Sequence, residues 1–62
     1  MTNEEKLLEY IRLHPGKDDD ELARLTGIKP RQQVNQICNR LEKKGYLVRE
    51  NGPLNKLVNR VR

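Results

Sequence analysis

The stretch Pro30 to Arg49, PRQQVNQICNRLEKKGYLVR, decides how this chain folds. At a helical step of about 100° per residue, Val34, Ile37, Cys38 and Leu41 gather on one narrow face, the spacing that marks a buried stripe. The opposite face presents Gln32, Gln36, Asn39 and Lys43, with Asn35 on one shoulder and Gln33 and Arg40 on the other. That outer surface carries amides and cations and no carboxylate, whereas solvated helices ordinarily mix both signs. Glutamine and asparagine donate to and accept from base edges, and arginine and lysine neutralise phosphates, so the face suits a duplex groove. Pro30 fits the first turn, where its missing N–H has no intrahelical partner, and the helix is expected from about Pro30 to Lys44. Gly45 is placed as the left-handed residue that ends it. Lys43 and Lys44 in the last turn also complement the helix dipole, an explanation that needs no ligand.

Downstream, Tyr46–Arg49 and Lys56–Val61 are short, β-branched-rich segments with the character of strands, and Asn51-Gly52 between them is a hairpin signal. Pro53 lacks the N–H that a two-residue turn spanning Glu50 to Pro53 would need, so the loop is expected to run on through about Asn55. The result is a loose two-stranded hairpin over about residues 46–61.

Upstream, Thr2 and Glu5 have the spacing of a capping box, and Leu7, Leu8 and Ile11 recur on one face, which predicts a first helix over about residues 4–13. Pro15 and Gly16 end it, and His14 falls in that turn without a partner that would make it a base or a ligand. Asp18 with Glu21 repeats the capping spacing, and the acids Asp18 to Glu21 gather where a helix dipole favours negative charge. A second helix over about residues 19–26 follows, with Leu22, Ala23 and Leu25 facing inward. The acidic run lacks the alternating ligands and the glycine of a calcium loop, so no metal site is expected. Thr26-Gly27-Ile28 then makes a tight turn, with Gly27 at positive φ and Ile28 plugging the corner.

The chain has 62 residues, neither Phe nor Trp, and an apolar inventory of nine Leu, three Ile, four Val, one Ala, Cys38, Met1, Tyr10 and Tyr46. This suffices for one small core and leaves little room for a ligand cavity. The net charge is +4, and its distribution says more than its size. Residues 1–28 hold four cations against seven acids, and residues 29–62 hold nine against two. Positive charge segregated into the last helix and the hairpin makes a face that attracts a polyanion at long range. No stretch is apolar enough to span a bilayer and the N-terminus lacks a signal-peptide pattern, so a cytoplasmic protein with no membrane partner is expected. Cys38, the single cysteine, lies on the apolar stripe and reads as a small buried hydrophobe.

The order helix, capped helix, glycine turn, helix, glycine and hairpin, carried by ELARLTGI and then VNQICNRLEKKGYLVR, resembles the winged helix-turn-helix superfamily. It is most similar to the DNA-binding domain of MarR-like bacterial regulators. The resemblance spans nearly the whole chain and implies a mainly α fold of three helices with a small β-hairpin, the wing. It implies further that helix 3 enters the major groove of double-stranded DNA, with the family's base-reading positions on Gln32, Asn35 and Gln36; Arg31 at the same entering end and Asn39 on the outer face complete the expected base-reading set. Arg40, Lys43, Arg49, Lys56 and Arg60 are the candidates for phosphate contact. The chain departs from the family in three places. Lys29 takes the cap position of helix 3 where a hydroxyl is usual, the wing tip Glu50-Asn51-Gly52-Pro53 is not basic, and the extra helices that dimerise and form a ligand pocket are not matched here.

A small transcriptional regulator that binds duplex DNA is therefore expected, alone, as a homodimer or within a larger assembly, with no small-molecule ligand and no cofactor. The competing expectation is a winged helix that binds protein through Leu13, Tyr46 or Leu54, although Leu13 and Leu54 are expected to fold back onto a core this short of apolar residues. Two tyrosines make a poor stacking platform for single strands. Without a glycine-rich phosphate loop, a second histidine or a ligand cluster, the chain is expected not to be an enzyme.

Overall fold

The computed structural model describes residues 2–62; Met1, counted above among the apolar residues, lies outside them. The Thr2 hydroxyl accepts from the Glu5 N–H at 3.1 Å and the Glu5 carboxylate accepts from the Thr2 N–H at 3.1 Å. This closes the capping box that starts α1 (Asn3–Leu13) and holds the Glu5 carboxyl below its ordinary range. The same device starts α2 (Asp19–Thr26), where the Asp18 carboxylate accepts from the Glu21 N–H at 2.8 Å. Gly27, at φ 77°, ends α2 in the left-handed conformation.

Pro30 is the cap of α3 (Arg31–Lys43) rather than a member of its first turn, so Lys29 precedes the cap position expected for it. The other end closes as a Schellman motif: the Gly45 N–H donates to the Glu42 carbonyl at 3.0 Å and the Tyr46 N–H to the Leu41 carbonyl at 2.9 Å. Lys44 donates to Glu4 at 2.8 Å, tying the end of α3 to the start of α1 and holding the Glu4 carboxyl below its ordinary range.

The hairpin is larger than expected. Lys17–Asp18 forms a short strand, β1, which joins β2 (Leu47–Asn51) and β3 (Leu57–Val61) in an antiparallel sheet of order β1-β3-β2. Nothing in the sequence of two residues announces β1; pairing with β3 (Lys17 opposite Asn59, Asp18 opposite Val58) makes it a strand. The connection between β2 and β3 contains a short 3₁₀ turn over Pro53–Asn55, the longer loop that Pro53 required. Gly52 enters that turn because a Cβ there would lie 2.5 Å from Val58 Cγ1, while its N–H donates to the Lys56 carbonyl at 2.7 Å.

Between the helices and the sheet lies a core of nine buried residues: Leu7 and Ile11 of α1, Leu22 of α2, Ile28 of the following turn, Val34, Ile37, Cys38 and Leu41 of α3, and Leu47 of β2. Leu25 is not part of it and is 48% exposed. The inward stripe of α2 is set instead by Asp19, Leu22, Ala23 and Thr26, all buried or half-buried, and Leu25 falls off that stripe. Leu13 and Leu54 likewise stay outside, 58% and 88% exposed.

What joins the sheet to the helices is polar. The Asp19 carboxylate, buried at the start of α2, accepts from Arg49 of β2 at 2.6 Å, from Asn35 of α3 at 3.0 Å and from Asn59 of β3 at 2.8 Å. Arg49 also donates to the Asn39 side chain, which in turn donates to Asn35 at 3.2 Å. The side chains of Arg49 and Asp19 are 4% and 6% exposed. Arg49 Nε and Asn59 Oδ1 find no partner among the described residues, each a penalty of about 1–3 kcal/mol. The network is thus retained at a cost in stability, and what it supplies is the relative placement of four elements.

Two outcomes follow from this interior. Removing one member of a buried ion pair strands the other, so Arg49→Met is expected to lower unfolding stability by about 3–5 kcal/mol in a urea titration; a loss below about 1 kcal/mol would show the pair to be idle. Burial, reinforced by the Asp19 carboxylate, pushes the Cys38 thiol up to about 12. Only about one thiol in ten thousand is then ionised at pH 8 in the folded chain, so alkylation by iodoacetamide is expected to be negligible until denaturant exposes Cys38. Rapid native labelling would contradict the burial.

Candidate nucleic-acid interface

The outward stripe of α3 follows from its inward one. With Val34, Ile37, Cys38 and Leu41 buried, residues half a turn away must face solvent, and Gln32, Gln36, Asn39, Arg40 and Lys43 are all exposed. Arg31, Gln32, Asn35 and Gln36 line an open groove beside the first turns of the helix. Neither Arg40 nor Lys43 makes an ion pair among the described residues, so both charges stand free at the carbonyl end of the stripe.

The amides are not equivalent. Asn35 is half-buried, with its amide nitrogen on Asp19 and its oxygen taken by Asn39, whose own oxygen is taken by Arg49. Gln32 and Gln36 make no side-chain bond among the described residues and keep their full donor and acceptor capacity. The four amides thus divide into two that are oriented and two that are uncommitted.

Arg49 is a correction. Read from sequence as a phosphate contact, it turns inward and spends its guanidinium on Asp19 and Asn39. The period of the strand carries the reason: Leu47 is buried, and Arg49, two residues on, faces the same side. Asn59, directly opposite Arg49 in the β2–β3 register, is buried for the same reason. That alternation is present in the sequence, but a basic residue in a hairpin reads as surface unless an acid waits behind it, and Asp19 is 30 residues away.

The remaining cations are exposed and engaged to different degrees. Arg31 pairs with Asp20, and Lys56 Nζ lies 3.7 Å from Asp20 and 3.8 Å from Asp18. The acids at the start of α2 therefore stand between the first turn of α3 and the wing, lining a shallow depression with Arg31, Asn35 and Lys56. Arg60 on β3 pairs with Glu50 on β2 at 3.2 Å. These pairs are half-exposed, worth less than about 1 kcal/mol apiece, and open to exchange with another anion. Among the described residues no group of three or more His, Cys, Asp or Glu is placed to hold a metal ion, and no helix is long and apolar enough to cross a membrane.

In helix-turn-helix proteins the last helix of the motif is the one that meets DNA, and here that helix carries the outward stripe of amides and cations. No curated protein and no solved structure matches the chain. The sequence model of the MarR family matches residues 6–58, from the end of the first turn of α1 into β3. With that span matched and the three helices and antiparallel sheet in place, the chain belongs to the MarR family of winged-helix DNA-binding regulators, whose domains are transcription regulators and not enzymes.

Proposed function

We propose that this domain reads double-stranded DNA with α3 in the major groove and the wing on the flanking backbone, as a small transcriptional regulator in the cytoplasm. The observation that carries this is the exposed, carboxylate-free stripe Gln32, Gln36, Arg40 and Lys43 on a helix whose other face is the core. Gln32 and Gln36 are the leading base readers, since each can bond an adenine edge with both ends of its amide. Asn35 and Asn39 add base contacts from fixed positions, with the one donor hydrogen that each amide retains. Arg40 and Lys43 neutralise phosphates at one end of the stripe, and Arg31 and Lys56 do so at the other by exchanging Asp20 for a phosphate. Arg60 is the outermost phosphate candidate.

One domain of this size covers a single half-site. Family members typically act as dimers, so two copies on half-sites about 34–36 Å apart are the expected assembly. The competing function, a protein-binding winged helix, is favoured by the exposure of Leu13, Tyr46 and Leu54. It predicts resonance shifts with a partner protein and none with DNA.

Fluorescence anisotropy of a labelled mixed-sequence duplex and its single strand, titrated at several salt concentrations, separates the two. Salt-sensitive binding that prefers duplex is expected; no binding to either at low salt would sink the proposal. Arg40→Ala and Lys43→Ala are each expected to weaken binding to all sequences alike and to lower the salt slope by about one. Gln32→Ala and Gln36→Ala should instead relax the preference between sites, by about 1–3 kcal/mol for each bidentate amide–adenine pairing removed. Discrimination that survives both changes would remove α3 as the reader.

A further inference from the structure

The wing tip presents an apolar side chain that stabilises nothing in the fold. Leu54 is 88% exposed, the highest value among the exposed large hydrophobic residues, and it sits at φ 62°, followed by Asn55 at φ 59°. A leucine in the left-handed region is strained by about 1 kcal/mol, and Asn or Gly would take the position with less strain. The tip nonetheless has a defined shape. The Gly52 N–H donates to the Lys56 carbonyl at 2.7 Å, the Lys56 N–H to the Pro53 carbonyl at 3.4 Å, and Gly52 packs where only a hydrogen clears Val58.

We propose that Leu54 is an apolar wedge that the wing sets into the minor groove flanking the α3-bound major groove, where it opens a base step and bends the duplex. The proposal rests on the DNA-binding reading above and adds to it a residue, a groove and a deformation. Reach supports it. From the buried Leu47 to Asn51, β2 carries the chain about 13 Å, and the tip extends further, against about 17 Å for half a turn of DNA. Direction supports it too, because Asn55 and Lys56, the residues that follow Leu54, border the same depression as Arg31 and Asn35 at the start of the recognition helix.

The chemistry of the tip selects this mode over its alternatives. Asn51, Gly52, Pro53, Leu54 and Asn55 carry no charge, so the tip cannot read a narrow groove with an inserted cation. Leucine and proline are among the side chains that enter between base steps from the minor groove, where loss of stacking is offset by apolar contact and by phosphates brought closer. Lys56 stands two residues from Leu54, placed to meet a phosphate that the bend draws in. A protein partner would call for a continuous apolar patch, and along the tip Leu54 has only Pro53 and the half-exposed Leu57 beside it, separated from Leu57 by Asn55 and Lys56.

The test uses a duplex of about 30 base pairs containing flexible TA steps, labelled at both ends for energy transfer and titrated with the intact chain and three variants. The wild-type chain is expected to shorten the end-to-end distance on saturation. Leu54→Asn, which keeps the left-handed backbone, should bind about tenfold more weakly and leave the duplex straight, as should Leu54→Ala. Leu54→Met should bind and bend as wild type does. Because Leu54 is exposed, Leu54→Ala and Leu54→Met should unfold at the wild-type urea midpoint, and Leu54→Asn at that midpoint or slightly above it, since asparagine relieves the left-handed strain. If the wild-type chain binds duplex without bending it, or if Leu54→Asn binds within about twofold and bends it equally, the wedge is wrong while the DNA-binding reading stands. In that event the leucine would be left for a protein partner. Failure of every variant and of wild type to bind any duplex would overturn the DNA-binding reading and the wedge together.

Discussion

The wing is held to the helices by one buried carboxylate. Asp19 accepts from Arg49 at 2.6 Å, from Asn59 at 2.8 Å and from Asn35 at 3.0 Å, and so touches both long strands and α3 from the first residue of α2. A two-stranded ribbon is marginal by itself, and this one contributes only Leu47 to the fully buried apolar core. Without the Asp19 network, little would fix the angle between wing and helix. The start of α2, α3 and the two long strands are therefore joined by bonds with direction, where apolar packing would have allowed several arrangements of similar energy.

The same network shapes the chemistry of the outer face. Asn35 and Asn39 belong to the outer face of α3 by position and to the interior network by hydrogen bonding. Held by these bonds, the two amides have less rotamer freedom left to lose to a ligand than a free glutamine has. Gln32 and Gln36 keep that freedom and can adapt to the sequence presented. Charge is arranged in a similar double use. Asp18 and Asp20 cap or start α2, and Asp20 also engages Arg31 and lies 3.7 Å from Lys56, one cation from the helix and one from the wing. In the free domain these acids mute part of the basic face. A phosphate, with denser charge and a favourable release of counterions, competes for the same cations.

Much of this is legible in the sequence because the signals are local. The capping boxes at Thr2 and Asp18, the buried stripe Val34-Ile37-Cys38-Leu41 and the left-handed Gly45 each depend on residues within a few positions of one another, and each has its expected form. The departures have other causes. β1 exists only because β3 lies beside it. Arg49 turns inward because an acid 30 residues away waits there. Hydrophobicity alone points Leu25 inward, but α2 has eight residues, and its stripe is fixed by where Asp19 and Leu22 must go. For β1 and Arg49 the deciding partner comes from another element, and no periodicity within the element can report it; the spacing of Asp19, Leu22, Ala23 and Thr26 does report the stripe that leaves Leu25 outside, once a buried carboxylate is allowed on it.

A chain of this size has few residues to spare, which gives weight to those that contribute nothing to the fold. Leu13, Leu25, Tyr46, Leu54 and Leu57 are all at least 45% exposed, while the core makes do with nine side chains. Leu13, Leu25 and Tyr46 lie at or near helix ends, where partial exposure is an ordinary consequence of geometry. Leu57 starts β3 opposite Asn51, at the far end of the ribbon from the core. Leu54 alone combines near-complete exposure with a backbone conformation that disfavours it, and a Gly-Pro tip of defined shape presents it. Stability would be better served by glycine or asparagine at that position. Leucine there gains the fold nothing, and a contact outside the domain, of the kind proposed for the minor groove, is what would offset its strain.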